Sequence, residues 1–137
     1  HRFADPLQEL QNNRCFYCET LFKGQAKLKP EVDHFIPWSR YPNDGLANFV
    51  LAHSDCNHSK SDHFAATEHL HKWRHRNQDE TQLNQLVDIA HDHKWEVLVH
   101  SSINVANILY SRLQTGTELW QGKGVFVGYE HELKVTH

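Results

Sequence analysis

The chain has 137 residues, 39% hydrophobic and 23% charged, which suits one compact domain of ordinary size. Fourteen basic residues against 17 acidic ones leave a formal charge of −3 with 13 histidines counted neutral, which argues against a protein that coats nucleic acid through a global excess of base. No apolar run approaches the roughly 20 residues of a membrane helix, and no signal-peptide pattern is visible. There is no methionine and the chain opens His1-Arg2, so it is expected to be a piece excised from a larger protein.

Phe3, Leu7 and Leu10 fall near helical spacing and Pro6 suits a first turn, which predicts a short helix within 3–14. Residues 19–30 are mostly polar, with Gly24 and Pro30, and read as a loop. Glu31 to Ile36 reads as a strand stopped by Pro37. "YPNDG" at 41–45 is a turn signal inside a loop over 38–47, and Phe49 to Ala52 reads as a second strand. Ser61-Asp62 is a candidate cap for a helix running to about Asn77, with Ala66, Leu70 and Trp73 as its apolar stripe. Lys60, Lys72, Arg74 and Arg76, with five nearby histidines (His58, His63, His69, His71, His75), form either a solvated face or a track for a phosphate backbone.

Thr81 or Asp79 is placed to cap the next helix, in which Leu83, Leu86, Val87 and Ala90 keep an amphipathic period. "WEVLV" at 95–99 fits a strand or a buried helical turn equally well. Residues 102–114 read as a further helix stopped by Gly116, and the tail from Gly124 favours strand. Trp73, Trp95 and Trp120 are expected in the core. The chain is thus read as one α+β domain over 1–137, with a core at about 13–77 and a helical or mixed extension over 78–137.

Three cysteines leave one over for disulfide pairing, and cysteine with histidine at fixed spacing points to metal in a reducing compartment. Cys15-x-x-Cys18 and His53-x-x-Cys56 are two pairs of equal spacing, the donor set of a tetrahedral structural zinc. The competing readings are buried thiols with an ordinary strand-end histidine, or a redox CxxC. No thioredoxin-like βαβ pattern surrounds the pair. His58 and His63 are possible substitute ligands.

Between the two pairs stands "VDHFIP" at 32–37, and the order continues with "NDGLANFVLA" at 43–52 and H-x-x-C-N-x-x-K at 53–60. Over about residues 13–65 this series resembles the HNH endonuclease family, whose active site is a ββα-metal finger. The resemblance implies a metal-dependent endonuclease acting on DNA and leaving 5′-phosphate and 3′-hydroxyl ends. His34 would be the general base, Asp33 and Asn57 would hold a catalytic Mg²⁺ or Mn²⁺, and Asn48 would prop the catalytic loop. Strand neighbours face opposite ways, so Asp33 and His34 would serve metal and phosphate separately. Lys60, one helical turn after Asn57, is expected to hold a substrate phosphate, and Arg40 is a second candidate for that work.

The sequence departs from the commoner pattern at Asn57, where histidine is frequent, and at His53, where many zinc-bearing members have cysteine. An amide oxygen at Asn57 suits Mg²⁺ or Mn²⁺. The family is found in restriction, anti-phage defence and CRISPR settings, which implies a bacterial cytoplasmic location and other domains or subunits that deliver the nuclease to its target. The residues also admit blander roles: Asp33 as a turn cap, His34 as a core histidine, Asn48 and Asn57 as turn residues. The alternative functions are a catalytically inactive, zinc-stabilised nucleic-acid-binding or scaffold module, and a toxin-type nuclease held by an inhibitor protein.

Overall fold

A computed structural model describes residues 1–24 and 29–131, so part of the predicted loop and the end of the tail lie outside the described residues. Helix α1, Ala4–Leu10, buries Leu7 and carries Asp5 in its first turn, where the helix dipole favours an acid. It stops at Asn12 and Asn13, both at positive φ (55° and 59°), a region that asparagine tolerates better than most residues. Strand β1, Pro30–His34, pairs antiparallel with β2, Phe49–His53, in a register that sets Asp33 opposite Val50 and His34 opposite Phe49. Every residue of β2 is buried.

The first strand ends two residues earlier than its pattern predicts. The backbone N–H of Phe35 turns to the Asn48 carbonyl (2.8 Å), and that of Ile36 to the Asn48 side chain (2.8 Å). A 3₁₀ turn at Leu46–Asn48 leads into β2, and helix α2, Ser54–Lys60, follows β2 without a loop. Two strands and a short helix in immediate succession are a ββα unit.

The helix expected from Ser61 is a correction. Ser61 has φ 51° and closes α2. Helix α3 begins only at Thr67 and runs to Gln78. The segment between is claimed by tertiary pairing: Trp120 donates its backbone N–H to Phe64 (2.9 Å), and Ala66 donates to Trp120 (2.7 Å). Helix α4, Glu80–Asp92, is capped by Asp79, whose carboxylate accepts from the Gln82 N–H (3.1 Å). "WEVL" is neither strand nor helix. The carbonyls of Glu96 and Val97 accept from Leu46 (2.9 Å) and Ala47 (3.0 Å), and α5 then spans Val99–Ser111. That close approach needs glycine at Gly45, where a Cβ would lie 2.9 Å from the Val97 carbonyl and 2.8 Å from the Leu98 Cβ. The tail forms a hairpin of β3, Glu118–Gly122, and β4, Val125–Gly128, turned through Gly124 at φ 71°.

One continuous set of buried apolar side chains joins α1 and the ββα unit to α3, α4, α5 and the β3–β4 hairpin. Trp73 is its centre, fully buried and stacked on Phe35 with ring centroids 4.9 Å apart. Its indole N–H donates to the Ala47 carbonyl (2.8 Å), which also accepts from Arg76 (2.7 Å) and Asn77 (3.1 Å). Three donors on one oxygen pin α3 to the turn before β2. Arg76 is buried among carbonyl acceptors, and burial draws its pKa down to about 10.

The basic face expected along this segment is therefore reduced. Lys60 and Arg76 are interior, and Lys72 is engaged by the Phe16 carbonyl and by Glu19. Trp120 is core as expected, whereas Trp95 stays 36% exposed because its indole N–H is drawn to the loop carbonyl of Asp44 (2.6 Å). Trp73→Ala would remove the Phe35 stack and one of the three donors, and is expected to lower unfolding free energy by about 3–5 kcal/mol in urea titration.

Candidate functional site

Cys15, Cys18, His53 and Cys56 converge so that their donor atoms lie within 4.8 Å of one another. A tetrahedral zinc with bonds of about 2.3 Å spaces its donors about 3.7 Å apart, so the cluster needs to contract by about an ångström to close on an ion. The donor set is matched to that ion. His53 Nε2 faces the Leu21 carbonyl (3.3 Å), which requires its proton there and leaves Nδ1 turned to Cys18 Sγ (3.3 Å). A hydrogen bond from the Cys56 thiol, the largest cause, lowers the Cys15 pKa to about 4. The same bond, with burial, pushes Cys56 up. One thiol is drawn toward thiolate beside two more sulfurs and an imidazole, a donor set that would hold a structural metal such as zinc. The clamp joins the turn after α1 to the junction of β2 and α2.

Above the clamp, α2 packs across β1. Glu31 and Asp33, two apart on one strand face, meet α2 side chains. Asp33 is largely buried. Its Oδ2 accepts from the Tyr17 hydroxyl (2.6 Å) and pairs with Lys60 Nζ (3.1 Å), while its Oδ1 accepts no hydrogen bond among the described residues. Burial, then the Asp33 charge, raises the Tyr17 pKa well above its ordinary value, so the phenol remains a donor. Asn57 donates through Nδ2 to Glu31 (3.3 Å), and His58 meets the same carboxylate (3.2 Å). Asp33 Oδ1 and the Asn57 amide oxygen are hard donors, of the kind that Mg²⁺ or Mn²⁺ would take.

Lys60 is placed otherwise than the sequence predicts. The helix spacing does put it one turn from Asn57, but the side chain points inward and is fully buried. Its ammonium binds Asp33 and the His34 carbonyl (3.3 Å), so it is not a phosphate-holding residue. The physical reason is electrostatic: the largely buried Asp33 carboxylate needs a counter-charge, and Lys60 is the cation within reach. Arg40 is exposed in the loop after β1, with its guanidinium 5.7 Å from the Phe64 ring centre.

His34 lies on the other side of β1 and is partly exposed. Its ring packs edge-on against Phe49 (5.1 Å) and Trp38 (5.4 Å), and its Nε2 bonds to Asp44 Oδ1 (2.8 Å). A carboxylate at Nε2 fixes the proton there and leaves Nδ1 with a lone pair. Asn48 is fully buried and does not reach this face. It holds both backbone groups of Ile36, accepting from N–H at 2.8 Å and donating to C=O at 3.0 Å, which sets the exit of β1.

Three contributors went unread in the sequence. Tyr17 sits between the paired cysteines, and Asp44 was read only as a turn residue. Glu31 had a usable signal, because a two-residue period puts it beside Asp33.

Two outcomes test these placements. Lys60→Met leaves Asp33 buried without its counter-charge and is expected to cost about 3–5 kcal/mol of stability, largely recovered in the double variant with Asp33→Asn. Zinc should be present at one ion per chain by elemental analysis. Cys56→Ser should lose it and show a lower thermal midpoint, and a strong chelator should do the same to the wild-type chain.

Residues 15–66 match the HNH endonuclease family. Among characterised proteins, the chain is 37% identical over 59 residues to a Septu protein, PtuB, of Bacillus thuringiensis. That match covers 42% of this chain and 23% of the relative, so the chain spans about a quarter of the protein it resembles. Residues 15–66 contain the cysteine–histidine cluster, the Asp33-His34 pair and all of α2. The similarity to HNH endonucleases is thus carried by residues 15–66.

Proposed function

We propose that the chain is a metal-dependent nuclease that hydrolyses phosphodiester bonds in DNA as one part of a larger anti-phage defence protein. The observation that supports this reading most is the division of work across β1. His34 stands half-open to solvent with Nε2 held by Asp44, while Asp33 on the opposite face keeps one carboxylate oxygen unengaged beside the helix that carries Asn57.

His34 Nδ1 takes the proton from a water that attacks the phosphorus, and Asp44 holds the ring and stabilises the imidazolium that forms. Tyr17 and Lys60 hold the Asp33 carboxylate in one orientation through Oδ2. Glu31 engages the Asn57 Nδ2, which directs the amide oxygen away from Glu31. A divalent ion bound by Asp33 and Asn57, Mg²⁺ or Mn²⁺, would stabilise charge on the departing 3′ oxygen, so that the products carry 5′-phosphate and 3′-hydroxyl ends. Arg40 is left to bind a substrate phosphate, since Lys60 is interior. Among the settings in which the family occurs, the similarity to a Septu protein favours defence. Metal-bound thiols suit a reducing bacterial cytoplasm.

A second reading rests on the Lys60–Asp33 pair. A carboxylate already neutralised by an ammonium at 3.1 Å needs no ion, and the finger would then be a zinc-stabilised module that binds nucleic acid without cutting it. Supercoiled plasmid nicking with Mg²⁺ separates the two. The wild-type chain is expected to nick, with EDTA abolishing it. His34→Ala should slow cutting by at least about a hundredfold with zinc content unchanged. Asp44→Asn should slow it by about tenfold or more with KM nearly unchanged, and Asp44→Glu should restore part of the rate. Nicking by His34→Ala at the wild-type rate would remove the base assignment.

A further inference from the structure

Beside His34 lies a cleft of about 390 Å³, of whose lining the catalytic steps above use only Asp44. It is lined by Trp38, Asn43, Asp44, Lys94, Trp95 and Glu96 among others. From these residues we infer that the cleft receives an unstacked nucleobase of the strand being cut, with Trp38 as its stacking surface. The inference rests on the nuclease reading and extends it to how the substrate is held.

Trp38 is 51% exposed, an unusual state for the largest apolar side chain and one that needs a cause. It sits four residues after His34, and the two rings meet at 64° with centroids 5.4 Å apart. A base on this indole therefore lies next to the imidazole that serves the scissile phosphate. A second aromatic residue of the lining is held by contacts of its own. Trp95 donates its indole N–H to the Asp44 carbonyl (2.6 Å), packs on Phe3 (5.3 Å), and has the Arg2 guanidinium 5.5 Å from its ring centre. A side chain held by three partners loses little freedom when a ligand arrives.

The chemistry of the lining distinguishes a base from a phosphate. Asp44 and Glu96 oppose the single ammonium of Lys94, so a phosphate would meet net repulsion here. A neutral heterocycle with donors and acceptors on its edge is suited to this mixture. Asn43 uses Oδ1 to accept from the Gly45 N–H (2.7 Å), and its amide NH₂ makes no hydrogen bond among the described residues. A base inside a duplex cannot reach such a cleft. The nucleotide beside the cut must be single-stranded or turned out of the stack.

Equilibrium binding tests this on the full, zinc-loaded chain without Mg²⁺, by fluorescence anisotropy of a labelled single-stranded oligonucleotide of about twelve nucleotides. An abasic residue is walked along the oligonucleotide, one position at a time. Trp38→Ala is expected to weaken binding about tenfold and Trp38→Phe to stay near wild type. One abasic position should weaken wild-type binding by a similar factor and leave Trp38→Ala indifferent. Equal affinity of wild type and Trp38→Ala, or an abasic walk that affects both alike, overturns the inference. Failure of the nuclease reading shows separately: the wild-type chain would then not nick plasmid with Mg²⁺ yet would still show the Trp38-dependent step, and the base-binding cleft would stand by itself.

Discussion

The arrangement of this finger depends on one buried cation. Lys60 Nζ holds the Asp33 carboxylate on one side and the His34 carbonyl on the other, so the last residue of α2 determines the placement of two neighbouring residues of β1 with different tasks. The contact is strong because it is dry: Lys60 is fully buried and Asp33 nearly so, and neither charge has water to replace its partner. The same carboxylate oxygen takes the Tyr17 hydroxyl, and this leaves the other oxygen unengaged. A residue expected to meet substrate thus serves as the strut that sets the Asp33 carboxylate.

Three further devices hold the strut's surroundings. The cysteine–histidine clamp ties the N-terminal turn to the β2–α2 junction, so α2 cannot move without disturbing the ligands. Asn48 locks the exit of β1 through both backbone groups of Ile36. The Ala47 carbonyl, next to it in sequence, gathers donors from Trp73, Arg76 and Asn77 and fixes α3 across the turn. Each device touches β1, β2 or the residues beside them, and the Ala47 contacts explain why a helix beyond the finger matters to a candidate site to which it contributes no ligand.

Legibility in the sequence followed the range of the forces involved. The ββα order, the four donors and the Asp33-His34 pair were readable, because each is marked by residue type at short, fixed spacing. The cap at Asp79 was readable for the same reason. The segment after Ser61 was not. Helical propensity there is acceptable, but Phe64 and Ala66 pair with Trp120, more than fifty residues away, and tertiary pairing overrides local preference. Trp95 was misplaced because an apolar neighbourhood in sequence says nothing of a loop carbonyl that draws the indole outward.

What the sequence determined by itself was the inventory: which cysteines and histidine come together, which imidazole and carboxylate are adjacent, and in what order the strands and helix come. Tertiary structure alone decided the allocation of charge. Lys60 turned inward, Arg76 was buried without an acid, Asp44 came to His34 from ten residues away, and Glu31 met Asn57 across the strand–helix gap. Spacing fixes which residues share a helix or strand face. Which of those faces is dry, and hence which charge must find a partner, depends on everything that packs against it.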